Sequence, residues 1–125
     1  MNRALFSSLS THWQTPAAVF DQLNAEFKFT LDPCPLHEGY LGLAMSWKGE
    51  RVFCNPPYDR RFSDWLCKAR EAELSVFLLP ARTDTRWFHR YCLNEANEIR
   101  FIKGRLKFGE AEFNAPFPSM VVVFK

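Results

Sequence analysis

Apolar positions along the chain recur with two different periods. Val19, Phe20, Leu23 and Phe27 are spaced three to four residues apart, which puts them on one face of a helix. Thr15 stands where a helix cap belongs and Pro16 where the first turn tolerates proline, so the pattern predicts a helix from there to about Phe27. A second stripe, Phe62, Trp65, Leu66 and Ala69, predicts a helix over residues 62–73. A third carries Trp87, Phe88, Tyr91 and Cys92, with Asp84 or Thr85 as its cap. Between them lie strand patterns. Residues 27–31 and 98–102 alternate, and residues 75–79 form an apolar run that ends at Pro80, as a strand covered on both faces would. Residues 51–54 stop at Asn-Pro-Pro, which cannot continue a central strand. Residues 106–108 make a very short candidate, and the β-branched residues 119–125 the strongest one.

This alternation of helix and strand predicts an α/β fold with a mostly parallel sheet, closed by an antiparallel C-terminal hairpin. Residues 33–50, with three glycines and two prolines, read as a loop holding one helical turn around residues 41–47. The 125 residues suit one domain, 1–125, and 47% apolar with 24% charged residues excludes a disordered chain. No apolar run approaches the ~20 residues of a membrane span, and the first residues lack a signal-peptide core, so a cytoplasmic protein is expected. The four cysteines form no CxxC pair and read as thiols in or near the core. A zinc site built from Cys34, His37, Cys54 and His89 would lack a ligand pair at zinc spacing, so no metal is expected. Charge divides unevenly: residues 1–59 hold 4 basic and 6 acidic residues, residues 60–125 hold 12 and 8. The basic half permits contact with nucleic acid.

Candidate chemistry concentrates at Asn55-Pro56-Pro57-Tyr58, directly after a predicted strand, where ligands bind in open α/β sheets. The two prolines stiffen the turn and carry no N–H, so it offers carbonyl acceptors without competing donors. Asn55 adds an amide oxygen and Tyr58 an aromatic face. That set suits a planar amino group: two acceptors for its two hydrogens and a ring to stack on its base. A stiffened turn with an Asn cap and a surface Tyr is the structural alternative.

These residues resemble the catalytic motif of amino methyltransferases that use S-adenosylmethionine. More narrowly, the chain resembles the small Dam-like DNA N6-adenine methyltransferases of phages and prophages. Trp13-Gln14-Thr15-Pro16, Leu31-Asp32-Pro33-Cys34, Asn55-Pro56-Pro57-Tyr58, Leu79-Pro80-Ala81-Arg82-Thr83 with Trp87-Phe88, and Gly104-Arg105-Leu106-Lys107-Phe108 follow in that family's order. The resemblance implies a reduced Rossmann-like methyltransferase sheet, S-adenosylmethionine as cofactor, and methyl transfer to the exocyclic amine of adenine in double-stranded DNA inside a bacterial host cell. It implies that Asn55, Pro56, Pro57 and Tyr58 are catalytic, with Asn55 and the Pro56 carbonyl accepting from the amine and Tyr58 stacking on an extruded base. Phe108 would face the base's other side. Thr15 and Pro16 would meet the methionine end of the cofactor, and Asp32 and Pro33 its amino group. Glu38 or Glu50 would substitute for the missing ribose-binding acid. Arg60, Arg61, Arg82, Arg86, Arg105 and Lys107 are the candidate DNA contacts. A homo-oligomer is compatible with so small a chain, since sequence preference must come from short loops or a second subunit. Two other readings stand beside this one: an amino methyltransferase acting on RNA or protein glutamine, and a degenerate methyltransferase fold serving as a nucleic-acid or protein-binding module.

Overall fold

The computed structural model describes residues 13–35, 40–108 and 114–125. Helix α1 spans Ala17–Phe27 and buries Leu23 and Phe27, the end of the predicted stripe, with Val19 and Phe20 half-buried beside them. It stops at Lys28, which takes the left-handed conformation (φ 56°) and donates its N–H to the Asn24 carbonyl at 2.9 Å. The Asn24 side chain then accepts from the Phe29 N–H at 2.9 Å. This ending explains why the strand predicted over 27–31 shrinks to one parallel bridge, Leu31 to Val52. Helix α2, Leu41–Ala44, is the turn expected in the 33–50 loop.

Strand β1, Arg51–Cys54, runs parallel to β2, Leu74–Pro80, through helix α3, Phe62–Cys67, and a 3-10 turn, Ala69–Glu71. The helix predicted over 62–73 therefore ends early, but its stripe of Phe62, Trp65, Leu66 and Ala69 is buried as expected. The third predicted helix occupies residues 86–95, with a π-helical centre at Phe88–Leu93. Thr85 is its cap, accepting the Phe88 N–H on Oγ1 at 3.2 Å. Strand β3, Glu98–Phe101, and strand β4, Ser119–Phe124, complete a sheet ordered β1-β2-β4-β3. Residues 106–108 form no strand.

The sheet is mixed, which corrects the mostly parallel expectation. One ladder is parallel and two are antiparallel. The reason is the placement of β4. It inserts between β2 and β3 and runs against both, so β1, β2 and β3 share one direction while only one pair of them touches. The predicted C-terminal hairpin of residues 106–108 with 119–125 is also corrected: 106–108 form no strand, and the antiparallel partner of β4 on that side is β3. Alternate residues of β2 and β4 divide between two apolar layers. Phe77, Leu79, Met120 and Val122 pack toward α3 and the π-helical segment; Val76, Leu78, Val121 and Val123 pack toward α1. Both faces are covered, which is why these strands read as continuous apolar runs.

Arg100 of β3 fastens α1 to the sheet. Its Nη atoms donate to both Glu26 oxygens at 2.7 and 2.6 Å, and its Nε donates to Glu98 at 2.7 Å. These hydrogen bonds hold the Glu26 and Glu98 carboxyls below the usual glutamate value. A depressed carboxyl contributes stability above its unfolded pKa and loses it as pH falls through the folded value. Acidification below about pH 4.3, the ordinary glutamate pKa, is therefore expected to destabilise the wild type more than Arg100→Met. Urea unfolding at pH 7 and pH 3 compares the two, and equal acid sensitivity would count against the clamp. Among the described residues no helix is long and apolar enough to cross a membrane.

Candidate active site at the carboxyl edge of the sheet

The Leu31 bridge and β1 run side by side in the same direction, with the Phe53 N–H donating to the Leu31 carbonyl at 3.0 Å. The residues that follow each, Asp32-Pro33 and Asn55-Pro56-Pro57-Tyr58, consequently emerge at the same carboxyl edge. Pro80, ending β2, reaches that edge as well.

Asn55 is buried at 2% exposure. Its Nδ2 donates to the Trp13 carbonyl and to Thr15 Oγ1, the latter at 3.0 Å. Its Oδ1 is buried without a partner. The sequence suggests Thr15 as a helix cap, and the structure corrects this. Pro16 holds the cap position, with no side-chain capping bond, and the Thr15 hydroxyl turns to Asn55. Pro56 and Pro57 are buried, and among the described residues no backbone N–H donates to the Pro56 carbonyl. Among the described residues, these two acceptors receive no hydrogen bond from the backbone, and Asn55 Oδ1 receives none at all. An unpaired buried acceptor costs free energy comparable to a lost hydrogen bond, and a ligand donor would relieve it.

Tyr58 is half-buried, with its hydroxyl in apolar surroundings and no partner, and this desolvation pushes the phenol well above its usual value. Its ring meets Phe62 and Phe117 edge-on at 5.6 and 5.5 Å. A cleft of about 340 Å³ opens beside it, walled by Tyr58, Phe62 and Trp87 and carrying Arg60 and Arg82. Trp87, on the third helical stripe, is half-buried and forms this wall, whereas Trp65, on the second, is fully buried. Phe108 is 3% exposed and packs against Trp13 and Phe117 at 5.7 and 5.9 Å. It reaches the Tyr58 neighbourhood only through Phe117, so the structure does not present it as an open stacking face.

Asp32 lies at the surface, with one carboxylate oxygen accepting the Cys34 N–H at 3.1 Å. Desolvation by the surrounding protein raises its pKa, and the Cys34 N–H opposes the rise. Cys34 and Cys54 are buried nearby. Burial, with smaller contributions from the Asp32 and Asp59 charges, pushes the Cys34 thiol up to about 12, so it is inert as a nucleophile. Asp59 accepts from Tyr40 Oη at 2.6 Å and from the Arg61 N–H at 2.9 Å, which ties the turn after Tyr58 to the residue preceding α2.

Of the candidate DNA contacts, Arg60 and Arg82 border the cleft. Arg61 pairs with Asp64 at 2.9 Å and covers the Tyr40 ring, away from the cleft lining. Arg86, Arg105 and Lys107 are exposed. Glu50 precedes β1 and accepts from Thr30 Oγ1 at 3.2 Å. It therefore stands at the opposite end of the sheet, and the ribose role suggested for it is corrected. Glu38 and His37 lie outside the described residues. Among the described residues no group of three or more His, Cys, Asp or Glu side chains could hold a metal ion.

Phe117 is a site residue that the sequence does not single out. It sits between Pro116 and Pro118, touches Trp13, Tyr58 and Phe108, and lies under the Arg82 guanidinium at 5.7 Å. An aromatic held between two prolines is the one signal that could have marked it.

This geometry sets a proline-stiffened turn with a buried, unpartnered acceptor at the edge of an α/β sheet, and sequence comparison gives the chain's class. The family described as DNA N-6-adenine-methyltransferase (Dam) matches residues 4–124. The chain belongs to that family, and its membership implies a DNA methyltransferase. No curated protein and no solved structure matches it.

Proposed function

We propose that the protein transfers a methyl group from S-adenosylmethionine to the exocyclic N6 amine of adenine in double-stranded DNA. One observation carries the reading: the buried, unpartnered Oδ1 of Asn55, beside a Pro56 carbonyl that receives no described backbone N–H. The adenine amine has two hydrogens. With one donated to each acceptor, the nitrogen lone pair is aimed away from the ring plane, as in-line attack requires. The amine becomes acidic as it is alkylated, so a strong base is unnecessary. Tyr58 gives the base an aromatic surface, and reaching it requires extrusion from the duplex. The shared direction of β1, β2 and β3, with helices on both faces, supports a reduced Rossmann-like methyltransferase sheet.

The chain's own groups fit the amino-acid end of the cofactor, which carries one cation and one anion. Asp32 has one oxygen engaged by Cys34 and a second left for an ammonium. Thr15 accepts from Asn55, so its own proton is available to a carboxylate. Pro16 and Pro33 shape the two turns that present these groups. When bound, S-adenosylmethionine supplies an electrophilic methyl group.

Phosphate contacts by Arg60 and Arg82 would place the duplex over the cleft, with Arg61, Arg86, Arg105 and Lys107 extending the basic surface. Binding should weaken steeply as salt rises. Arg60→Glu and Arg82→Glu are each expected to reduce affinity for all DNA sequences alike and to flatten the salt dependence. Fluorescence anisotropy across a salt series measures both effects, and a salt-independent affinity would refute the assignment.

Mass spectrometry of nucleosides tests the proposal itself, using plasmid DNA from an expressing strain that lacks its own adenine methylation. N6-methyladenine is the expected product. DNA binding without any methylated base would transfer the assignment to a binding module, and label found on RNA or protein glutamine would transfer it to those substrates.

A further inference from the structure

We infer that Thr15, together with the Trp13 backbone carbonyl, is the positioning element that decides which end of the Asn55 amide faces the substrate. The inference rests on the reading of Asn55 as the amine's acceptor and adds a role that the motif itself does not contain.

An asparagine amide has a donor end and an acceptor end, and rotation of its terminal group exchanges them. At position 55 the choice matters. With Oδ1 toward the substrate, the side chain accepts from an amine. Reversed, it would present N–H to N–H and repel it. The Trp13 carbonyl removes the ambiguity because it can only accept, so only the Asn55 amino end can face it. Thr15 Oγ1 takes the second Nδ2 hydrogen at 3.0 Å. Both amide hydrogens are then engaged on one side, and the unpartnered Oδ1 is left on the other.

The segment that performs this lies 40 residues from Asn55 and leads directly into α1. Leu23, Phe27 and the Arg100–Glu26 pair hold α1 against the sheet, so the anchor is built on a fixed element. The Trp13 ring is itself packed against Phe108 and Phe117 at 5.7 and 5.5 Å. These contacts hold the Trp13 side chain in place beside the anchor. The Thr15 hydroxyl proton remains available to the cofactor, so an anchoring role and a cofactor contact are compatible. They differ in which kinetic constant each controls.

Thr15→Val preserves the shape and removes the acceptor; Thr15→Ser preserves the acceptor. For Thr15→Val the expected result is a loss of about tenfold in kcat at saturating cofactor, the size of one net hydrogen bond, with KM for DNA unchanged and a separate rise in cofactor KM from loss of the hydroxyl donor. Thr15→Ser should restore kcat. In an Asn55→Ala background, Thr15→Val should cause no further loss, since coupled residues are non-additive. An independent measurement uses the cofactor-free protein: hydrogen exchange of the Asn55 side-chain amide by NMR, expected to be slow in the wild type and faster in Thr15→Val. The inference is overturned if kcat is unaffected, if serine fails to rescue, if the loss falls entirely on cofactor KM, or if Thr15→Val leaves amide exchange unchanged. A wild type that methylates no adenine would instead sink the proposed function, and the positioning role with it, whatever the exchange experiment shows of the anchor.

Discussion

Asn55→Ala is expected to lower adenine methylation by about 100- to 1000-fold in turnover, the loss that follows removal of one aligned hydrogen-bonding group from an oxyanion hole. The Pro56 carbonyl alone cannot fix the direction of the amine. From sequence, the fold is expected to be indifferent to this change, with Asn55 beyond its strand and facing outward. The structure corrects that expectation. Asn55 is buried and bound to Trp13 and Thr15, so alanine also frees residues 13–16 and leaves the Trp13 carbonyl without its partner. A loss of about 1–3 kcal/mol in stability should accompany the kinetic effect. Assays well below the variant's melting temperature separate the two, and wild-type turnover in a folded Asn55→Ala protein would end the mechanism. Asn55→Asp is the sharper comparison. An ionised carboxylate accepts from the amine but cannot donate to Trp13, whereas a protonated one does both. Burial against a carbonyl favours the protonated form. Activity of Asn55→Asp should therefore rise as pH is lowered, relative to wild type, and a pH–rate profile parallel to the wild type would contradict the anchoring geometry.

Gly42→Ala is expected to destabilise the fold severely, although it adds a single methyl group. A Cβ at Gly42 would overlap the Pro33 carbonyl oxygen and stand 2.8 Å from the Trp65 ring. Neither neighbour can yield. Pro33 carries the turn after Asp32, and Trp65 is fully buried against Trp47. The Gly42 carbonyl is itself held by Trp47 Nε1 at 2.9 Å. Overpacking of this kind costs about 1–3 kcal/mol and occasionally more, and contact with backbone on one side puts this site at the upper end. Circular-dichroism melting should show a large fall in midpoint. Because Pro33 belongs to the proposed cofactor edge, cofactor affinity should fall as well. An unaltered midpoint would mean that α2 is free to move away from Pro33.

The contrast between these two residues shows what a sequence can disclose. Local patterns carry most of the fold. The stripe of Phe62, Trp65, Leu66 and Ala69, the apolar runs of β2 and β4 and the stop at Asn-Pro-Pro are legible because each depends on neighbours a few residues away. The position of β4 is not, because strand order is decided by pairing across the chain. A run apolar on both faces reads alike in parallel and antiparallel ladders. The site divides in the same way. Asn55 and Tyr58 stand out because prolines flank them. Thr15 before a proline reads as a cap, and nothing near it in sequence announces an amide 40 residues away. Gly42 looks like loop glycine, although it is a packing requirement. Phe108 is marked by its motif, yet its ring is enclosed by Trp13 and Phe117.

The strand that is last in chain order occupies an interior place in the sheet, between β2 and β3. This has a consequence for biosynthesis. As the polypeptide leaves the ribosome, β1 and β2 can pair through α3, but β3 emerges with no ladder to join. Among the described residues its only partner in the sheet is β4. Until β4 arrives, β2 has one edge uncovered, and Val76, Phe77, Leu78 and Leu79 await the strand that buries them. Unpaired strand edges of this composition are prone to association with other chains. The nascent protein thus passes through an interval in which two β edges wait for one segment. A released chain truncated before residue 119 should therefore be sensitive to protease and prone to association.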